Sequence, residues 1–211
     1  GTKIMVYYPV DGVSPMQKLQ MATQEGANVE VIAIHGNFDD AQSAVKRIFT
    51  DDETRAQLDR DGMMLSSANS INWGRLAPQI AYYVSAYCDM VKAGTIRQGD
   101  RINVCVPTGN FGNILAAYIA KQMGLPVNKF ICASNRNNVL TDFFKKDGEY
   151  NRNRDFYTTT SPSMDILISS NLERLLFFVS DFDDKMVAEL MAKLNTEGSY
   201  KVASDVFAKI A

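Results

Sequence analysis

Apolar residues recur along this chain with two different periods, and the two alternate. Runs of strand type, Ile4 to Tyr8, Val29 to Ile34, Ile102 to Val106 and Phe130 to Ala133, are separated by stretches whose apolar positions return every three to four residues. Ser14-Pro15-Met16-Gln17 opens the first such stretch as a capping box with proline at the first helical position, and the helix closes at Gly26. Ala41, Ala44, Val45, Ile48 and Phe49 mark one face of the next helix. Met63 to Leu65 starts a further strand, and Leu76, Ile80, Tyr83, Val84, Tyr87 and Val91 line one face of a long helix ending near Gly94. Ile114 to Met123 predicts a helix stopped by Gly124-Leu125-Pro126. This order predicts an α/β fold of parallel-sheet βα units, and the unbroken apolar runs suit strands buried on both faces. Beyond Asn135 the rhythm weakens. Residues 145 to 161 read as a polar surface excursion, Met164 to Val179 as an apolar helix, and Asp183 to Ala211 as helical and charged.

Composition narrows the classes. With 46% hydrophobic residues in 211, the chain has enough apolar material for one large domain or two small ones. A net charge of −2 with no basic stripe argues against nucleic acid as a partner. No run has the length of a membrane-spanning helix and no signal peptide precedes the first strand, so a soluble, cytoplasmic protein away from membranes is expected. The three cysteines, Cys88, Cys105 and Cys132, have no zinc or disulfide spacing; Cys105 and Cys132 are expected as small buried hydrophobes. The chain opens Gly1-Thr2-Lys3 without an initiator Met, which reads as a piece of something longer.

The chemistry concentrates at two turns. TGNFGN, residues 108 to 113, follows a strand and opens a helix, a place where unpaired N–H groups and the helix dipole suit a phosphate or carboxylate. Gly109 and Gly112 would admit the anion closely, at positive φ if needed. The turn is not GxGxxG, no acidic residue ends the following strand for a ribose, and no GKS or GKT follows. A compact monophosphate remains, held by N–H groups and by the amide of Asn110 or Asn113. An ordinary strand-to-helix turn that uses glycine for its geometry accounts for the same residues. SSANSINWGR, residues 66 to 75, gathers hydroxyls and amides before Arg75, whose fork can hold a second anion; serines and asparagines also cap helices. With both turns at carboxyl ends of strands, one crevice is expected to receive both.

Taken together, TGNFGN with its alanine-rich helix, NSINWGR, the opening VSPMQKLQMATQEGANVEVIAIHGNFDDAQ and the later SMDILISSNLERLLF resemble threonine synthase along nearly the whole chain. The resemblance implies a fold-type II enzyme dependent on pyridoxal phosphate (PLP), of the tryptophan synthase β-like architecture. Residues 1–74 would form part of a small α/β domain and residues 75–211 most of a larger one. Gly109, Asn110, Phe111, Gly112 and Asn113 would receive the PLP phosphate, and Asn69 and Arg75, with Ser70 and Asn72 beside them, the phosphate of O-phosphohomoserine. The reaction implied is conversion of O-phosphohomoserine and water to threonine and phosphate. Threonine dehydratase or cysteine synthase is the nearest alternative in chemistry, and a non-catalytic phosphate-ligand module the alternative in class; a substrate without phosphate would leave the Arg75 cluster without a partner.

Two departures from the family pattern limit what the resemblance implies. The family's PLP lysine lies in a GPTxxFKD-like stretch followed by an SGDTG-like loop, and its last segment carries a PHTAV-like stretch; none occurs among these residues. The twelve lysines lie elsewhere, Lys121 well inside its helix, so no catalytic residue is assigned and the chain reads as the middle, roughly half, of the enzyme. By itself it is expected to be inactive, to attract phosphate or sulfate at the glycine turn, and to self-associate through uncovered surface. His35 in HGNFDD is expected as a turn residue, and Asp165 and Asn171 either line the site or cap helices.

Overall fold

The computed structural model describes residues 1–10, 13–36 and 38–210, and two compact units divide between Ser66 and Ser67. The strip Asn69 to Arg75 therefore shares its unit with the glycine turn, whereas the sequence places a boundary after residue 74. Asn37 of the HGNFDD stretch and the terminal Ala211 lie outside the described residues.

In the first unit, β1 (Ile4–Pro9) pairs in parallel with β2 (Val29–Ile34), in register from Ile4 opposite Val29 to Pro9 opposite Ile34. The crossover carries α1 (Pro15–Ala22), whose capping box forms: Ser14 Oγ accepts from the Gln17 N–H at 3.3 Å and Gln17 Oε1 from the Ser14 N–H at 3.2 Å. Two further helices follow, α2 (Phe38–Thr50) and α3 (Asp52–Arg60), the second capped by Asp51. Met63 to Leu65 is not a strand. Among the described residues no neighbouring strand takes up its backbone groups, Met64 is 89% exposed, and the chain runs irregularly to residue 72.

The second unit opens with α4 (Trp73–Leu76), a 3-10 turn over Ala77–Gln79, and α5 (Ile80–Lys92). What reads as one helix is thus broken near its start, where Pro78 supplies no N–H to continue the α-ladder. Next comes β3 (Ile102–Pro107), which pairs in parallel with β4 (Val127–Ala133) across α6 (Gly112–Gln122). Burial on β3 alternates: Val104 and Val106 are buried, Cys105 and Pro107 exposed. The expectation of strands buried on both faces, and of Cys105 as a buried hydrophobe, is corrected here. Within the described residues this sheet has two strands, and its second face, including Ile131, is open to solvent. Cys132 is half-buried, and burial raises its thiol pKa, keeping it protonated.

Beyond β4 the chain builds α7 (Val139–Lys145), β5 (Glu149–Asn151), α8 (Leu172–Val179), α9 (Asp184–Thr196), β6 (Ser199–Lys201) and α10 (Ser204–Phe207). The supposed surface excursion contributes to the core instead: β5 pairs antiparallel with β6, and Tyr150 stacks on Tyr200 with centroids 5.2 Å apart and planes at 5°. The helix expected from Met164 shrinks to a 3-10 turn ending at that residue and to α8, because the residues between use their polar side chains on other parts of the chain. One core joins these elements. Leu115, Ala116 and Ala117 of α6, Phe143, Tyr150, Leu172, Leu176 and Val202 are all buried, and each large side chain stabilises the fold by about 1.5–3 kcal/mol before entropy. The alanines let α6 lie close to its neighbours.

Candidate functional site

At the end of β3, Thr108 is held by its N–H, which donates to Ala133 O at 2.8 Å, and by its Oγ1, which donates to Val106 O at 2.7 Å. The chain then turns through Gly109, Asn110 and Phe111 into α6. Positive φ falls not on a glycine but on Phe111, at 64°, with its ring buried in the core. A bulky residue in the left-handed region costs on the order of 1–3 kcal/mol, and such strain persists only where packing fixes it. Gly112 answers a different need, space: a Cβ there would collide with Ser70 Oγ and come 2.7 Å from Ser70 Cβ. A Cβ on Gly109 would stand 3.0 Å from Ile166 Cδ1.

Among the described residues, no hydrogen bond engages the backbone N–H groups of Gly109 to Ile114. They border a cavity of about 170 Å³ that is also lined by Ser70, Gln79, Thr108, Ser163 and Met164, far more than the roughly 10–15 Å³ that one water needs. Among the described residues the buried Asn110 Oδ1 has no partner. Turned over, that amide would point an N–H where the oxygen now stands, and an anion accepting it would remove the orphan. Several N–H groups, a helix N-terminus of eleven residues and an unpartnered amide fit a phosphate group. Asn113 is placed otherwise. Its Nδ2 donates to Gln79 Oε1 at 2.9 Å, its Oδ1 accepts from Tyr83 OH at 2.5 Å, and only its N–H remains for a ligand. Burial raises the Tyr83 pKa and so keeps this hydroxyl a donor.

Residues 69 to 75 follow irregular chain rather than a strand, which corrects one of the two strand-end placements. Ser70 alone of the four expected substrate-phosphate residues lines the cavity. Asn69 Oδ1 accepts from the Ile71 N–H at 3.1 Å. Asn72 caps α4 by accepting from the Gly74 N–H at 2.9 Å, and its Nδ2 donates to Ser67 O at 3.0 Å. Arg75 is exposed. Its Nε donates to Ala68 O at 3.1 Å, and among the described residues its two terminal nitrogens take no partner, so they face solvent ready for an anion.

The segment SSNLER ties both turns together, and the sequence does not disclose how. Asn171, 0% exposed, makes no capping bond: its Nδ2 donates to Ser70 Oγ and to Asn110 O, each at 3.0 Å, and its N–H to Asn110 O at 3.0 Å. Arg174 Nη1 donates to Ser70 O at 2.8 Å and to Asn171 Oδ1 at 2.7 Å, and Nη2 donates to Ile71 O. Ser169 Oγ donates to Gly109 O. Asp165 is likewise no cap. Its carboxylate, on a residue 7% exposed, accepts from Asn135 Nδ2 at 2.7 Å, Asn137 Nδ2 at 3.0 Å, Thr159 Oγ1 at 2.7 Å and the Thr159 N–H at 2.8 Å. Those bonds fix the chain just before Ser163 and Met164, which form the cavity wall. Arg174, Gln79 and Tyr83 carry no sequence signal of their own; an arginine shortly after Ser-Ser-Asn, in a helix whose one other charged residue is Glu173, is the nearest to one. His35 is exposed after β2, as expected of a turn residue, and Lys121 lies 5.5 Å from the Phe130 ring centroid.

Comparison with known proteins follows the same lines. The chain is 46% identical over 209 residues to threonine synthase-like 1 of Homo sapiens, taking in 98% of this chain and 28% of that protein. It is 37% identical over 212 residues to threonine synthase of Saccharomyces cerevisiae, taking in 96% of this chain and 40% of that protein. A crystal structure of PLP-bound threonine synthase from Brucella melitensis superimposes with a TM-score of 0.82 at 40% identity, over 99% of this chain and 42% of that one. No family model matches. The chain spans under a third of the length of the first of these relatives and about two fifths of the other two. Along nearly all its residues, in sequence and in backbone, it is homologous to part of the threonine synthases, and its parallel βα units are part of that fold-type II architecture.

Proposed function

We propose that the protein acts as a threonine synthase, a carbon–oxygen lyase of threonine biosynthesis that converts O-phosphohomoserine and water to threonine and phosphate with PLP as cofactor. This chain supplies two phosphate sites. The observation that carries the reading is the row of N–H groups from Gly109 to Ile114 that find no acceptor among the described residues, beside the unpartnered Asn110 Oδ1 and around a cavity of about 170 Å³. When bound, PLP supplies the electron sink for charge developing on the substrate carbons.

The chain's own residues hold and orient. Gly109, Asn110, Phe111, Gly112 and Asn113 take the cofactor phosphate through their N–H groups, with the Asn110 amide turned to donate. Asn69, Ser70, Asn72 and Arg75 form the substrate-phosphate strip. Asn69 and Asn72 shape it through their turn and cap bonds, and Arg75 presents free guanidinium N–H groups to the phosphate, where charge grows as the C–O bond breaks. No group of this chain is assigned proton transfer, and the resemblance leaves that role to a lysine in an FKD-type stretch absent from these 211 residues. The isolated chain accordingly releases no phosphate, although its cradle takes phosphate or sulfate at millimolar concentration. The open face of the β3–β4 sheet favours self-association. A cytoplasmic location fits the family reading, and among the described residues no helix is long and apolar enough to cross a membrane.

The test is to follow phosphate release from O-phosphohomoserine with PLP present, in the complete protein and in the isolated chain. Turnover in the first and none in the second is expected. Binding of O-phosphohomoserine without turnover in the complete protein would replace the enzyme by a phosphate-ligand module. Turnover by the isolated chain would show that one of its own groups moves the proton.

A further inference from the structure

We propose that Arg174 is a positioning residue for the substrate phosphate: its guanidinium fork holds the Asn69 to Arg75 strip against the glycine turn. The inference rests on the reading of that strip as the substrate-phosphate site. Residues 63 to 72 contain no helix or strand; the Asn72 N–H, donating to Asn69 O at 3.0 Å, closes a turn over Ser70 and Ile71 and sets its shape, but no ladder fixes where that turn lies. Two carbonyls one residue apart are instead grasped together, Ser70 O by Nη1 at 2.8 Å and Ile71 O by Nη2. A planar fork suits such a pair, and a lysine ammonium does not reproduce it.

The hold continues into the cofactor turn without a gap. Nη1 also donates to Asn171 Oδ1 at 2.7 Å, which orients the Asn171 amide so that its Nδ2 reaches both Ser70 Oγ and Asn110 O. Arg174 therefore sets the position of the strip relative to the turn, not merely its shape. Charge adds to geometry. Among the described residues Arg174 pairs with no carboxylate, and a half-buried cation satisfied by three neutral oxygens keeps its field for an anion bound at the strip.

Arg174→Lys, Arg174→Gln and Arg174→Met in the complete protein separate fork from charge. Hydrogen exchange at residues 67–72 reads the hold directly, in the absence of any ligand, and exchange at residues 116–122 of α6, whose N–H groups are bonded within the helix, serves as internal reference. Kinetics with O-phosphohomoserine and competition by inorganic phosphate read its consequence, while PLP absorbance reads cofactor retention. Faster exchange confined to the strip is expected in Arg174→Gln and Arg174→Met. The KM for O-phosphohomoserine and the Ki for inorganic phosphate should then rise about tenfold or more, the size of one lost hydrogen bond to a charged group, with PLP retained. Arg174→Lys should recover part of the phosphate affinity through its charge and little of the exchange protection. Unchanged exchange at 67–72 overturns the inference. So does faster exchange with unchanged KM and Ki, or a loss of PLP in step with the loss of substrate affinity, which would make Arg174 a general fold element. A wild-type protein that shows the expected exchange pattern on mutation but never turns over O-phosphohomoserine refutes the functional reading, and the inference with it.

Discussion

Gly112→Ala tests whether the two turns are packed as tightly as their geometry states. A methyl group at 112 meets Ser70 Oγ within collision distance, Ser70 Cβ at 2.7 Å and Asn171 Nδ2 at 3.3 Å. Rotating the Ser70 side chain does not relieve this, since its Cβ is itself too close and its carbonyl is clasped by Arg174. The backbone of one turn has to move. Overpacking of that kind costs about 1–3 kcal/mol, and loss of the Asn171 to Ser70 bond adds about 0.5–1.5 kcal/mol. Alanine in a helix returns at most about 1 kcal/mol relative to glycine, less at the first helical position. The net is a destabilisation of about 2 kcal/mol, or about 4–8 °C in melting temperature for a chain of this size. Thermal and urea denaturation of the purified protein measure it, together with a weaker response to phosphate. Ser70→Gly in the same chain removes the obstructing atoms, so the double variant should recover most of the loss. A Gly112→Ala protein as stable as wild type, or a double variant no better than the single one, would show that Ser70 does not sit on Gly112.

Three other perturbations probe different parts of the site. Arg75→Ala should lower kcat/KM for O-phosphohomoserine about ten- to 150-fold in the complete protein, the equivalent of about 1.5–3 kcal/mol. Arg75→Lys should restore it partly, and a wild-type value in the alanine variant removes Arg75 from the substrate site. Asp165→Asn places an NH2 among the donors of Asn135, Asn137 and Thr159, leaving at least one buried donor unpaired, for a loss of about 1–3 kcal/mol in urea denaturation. Unchanged stability would show that this hub does not anchor the cavity wall. Burial chiefly, then the neighbouring Tyr150 and Glu173, raises the Tyr200 pKa well above the ordinary 10.0, so the folded state keeps a proton that the unfolded chain loses first. Its contribution is full below pH 10.0 and declines as pH climbs from there through the folded value; Tyr200→Phe should flatten that part of the stability curve, and an unaltered decline would assign it to other groups.

Residues 102 to 133 are legible in the sequence because local chemistry and global fold agree there. β3, α6 and β4 have the right periods, and α6 ends at Gln122, just before the stop signal at Gly124. The same holds for the Ser14 capping box, which needs only four residues of sequence. Elsewhere distant residues decide the structure. Met63 to Leu65 has strand composition, but a strand needs a neighbour, and the described residues offer none. Tyr150 sits in a polar stretch that looks solvent-bound, yet its ring meets Tyr200 fifty residues later and its hydroxyl donates to Leu167 O at 2.9 Å while accepting from the Ser169 N–H at 2.8 Å. The glycine turn stands in the sequence, but the contact that Gly112 makes room for does not. Gly112 is small because Ser70, distant in sequence, lies against it, and the left-handed residue is Phe111, whose ring the core holds in place. Asn171 shows the general difficulty most plainly. An asparagine just before a helix reads as a cap, since a side-chain oxygen there ordinarily accepts the N–H two or three residues on. Here Arg174 occupies that oxygen from one turn later in α8, and the amide is left free to donate backward to Ser70 and Asn110. The identity of both residues is consistent with either role. Only the arrival of residues 70 and 110 at the same helix end selects between them.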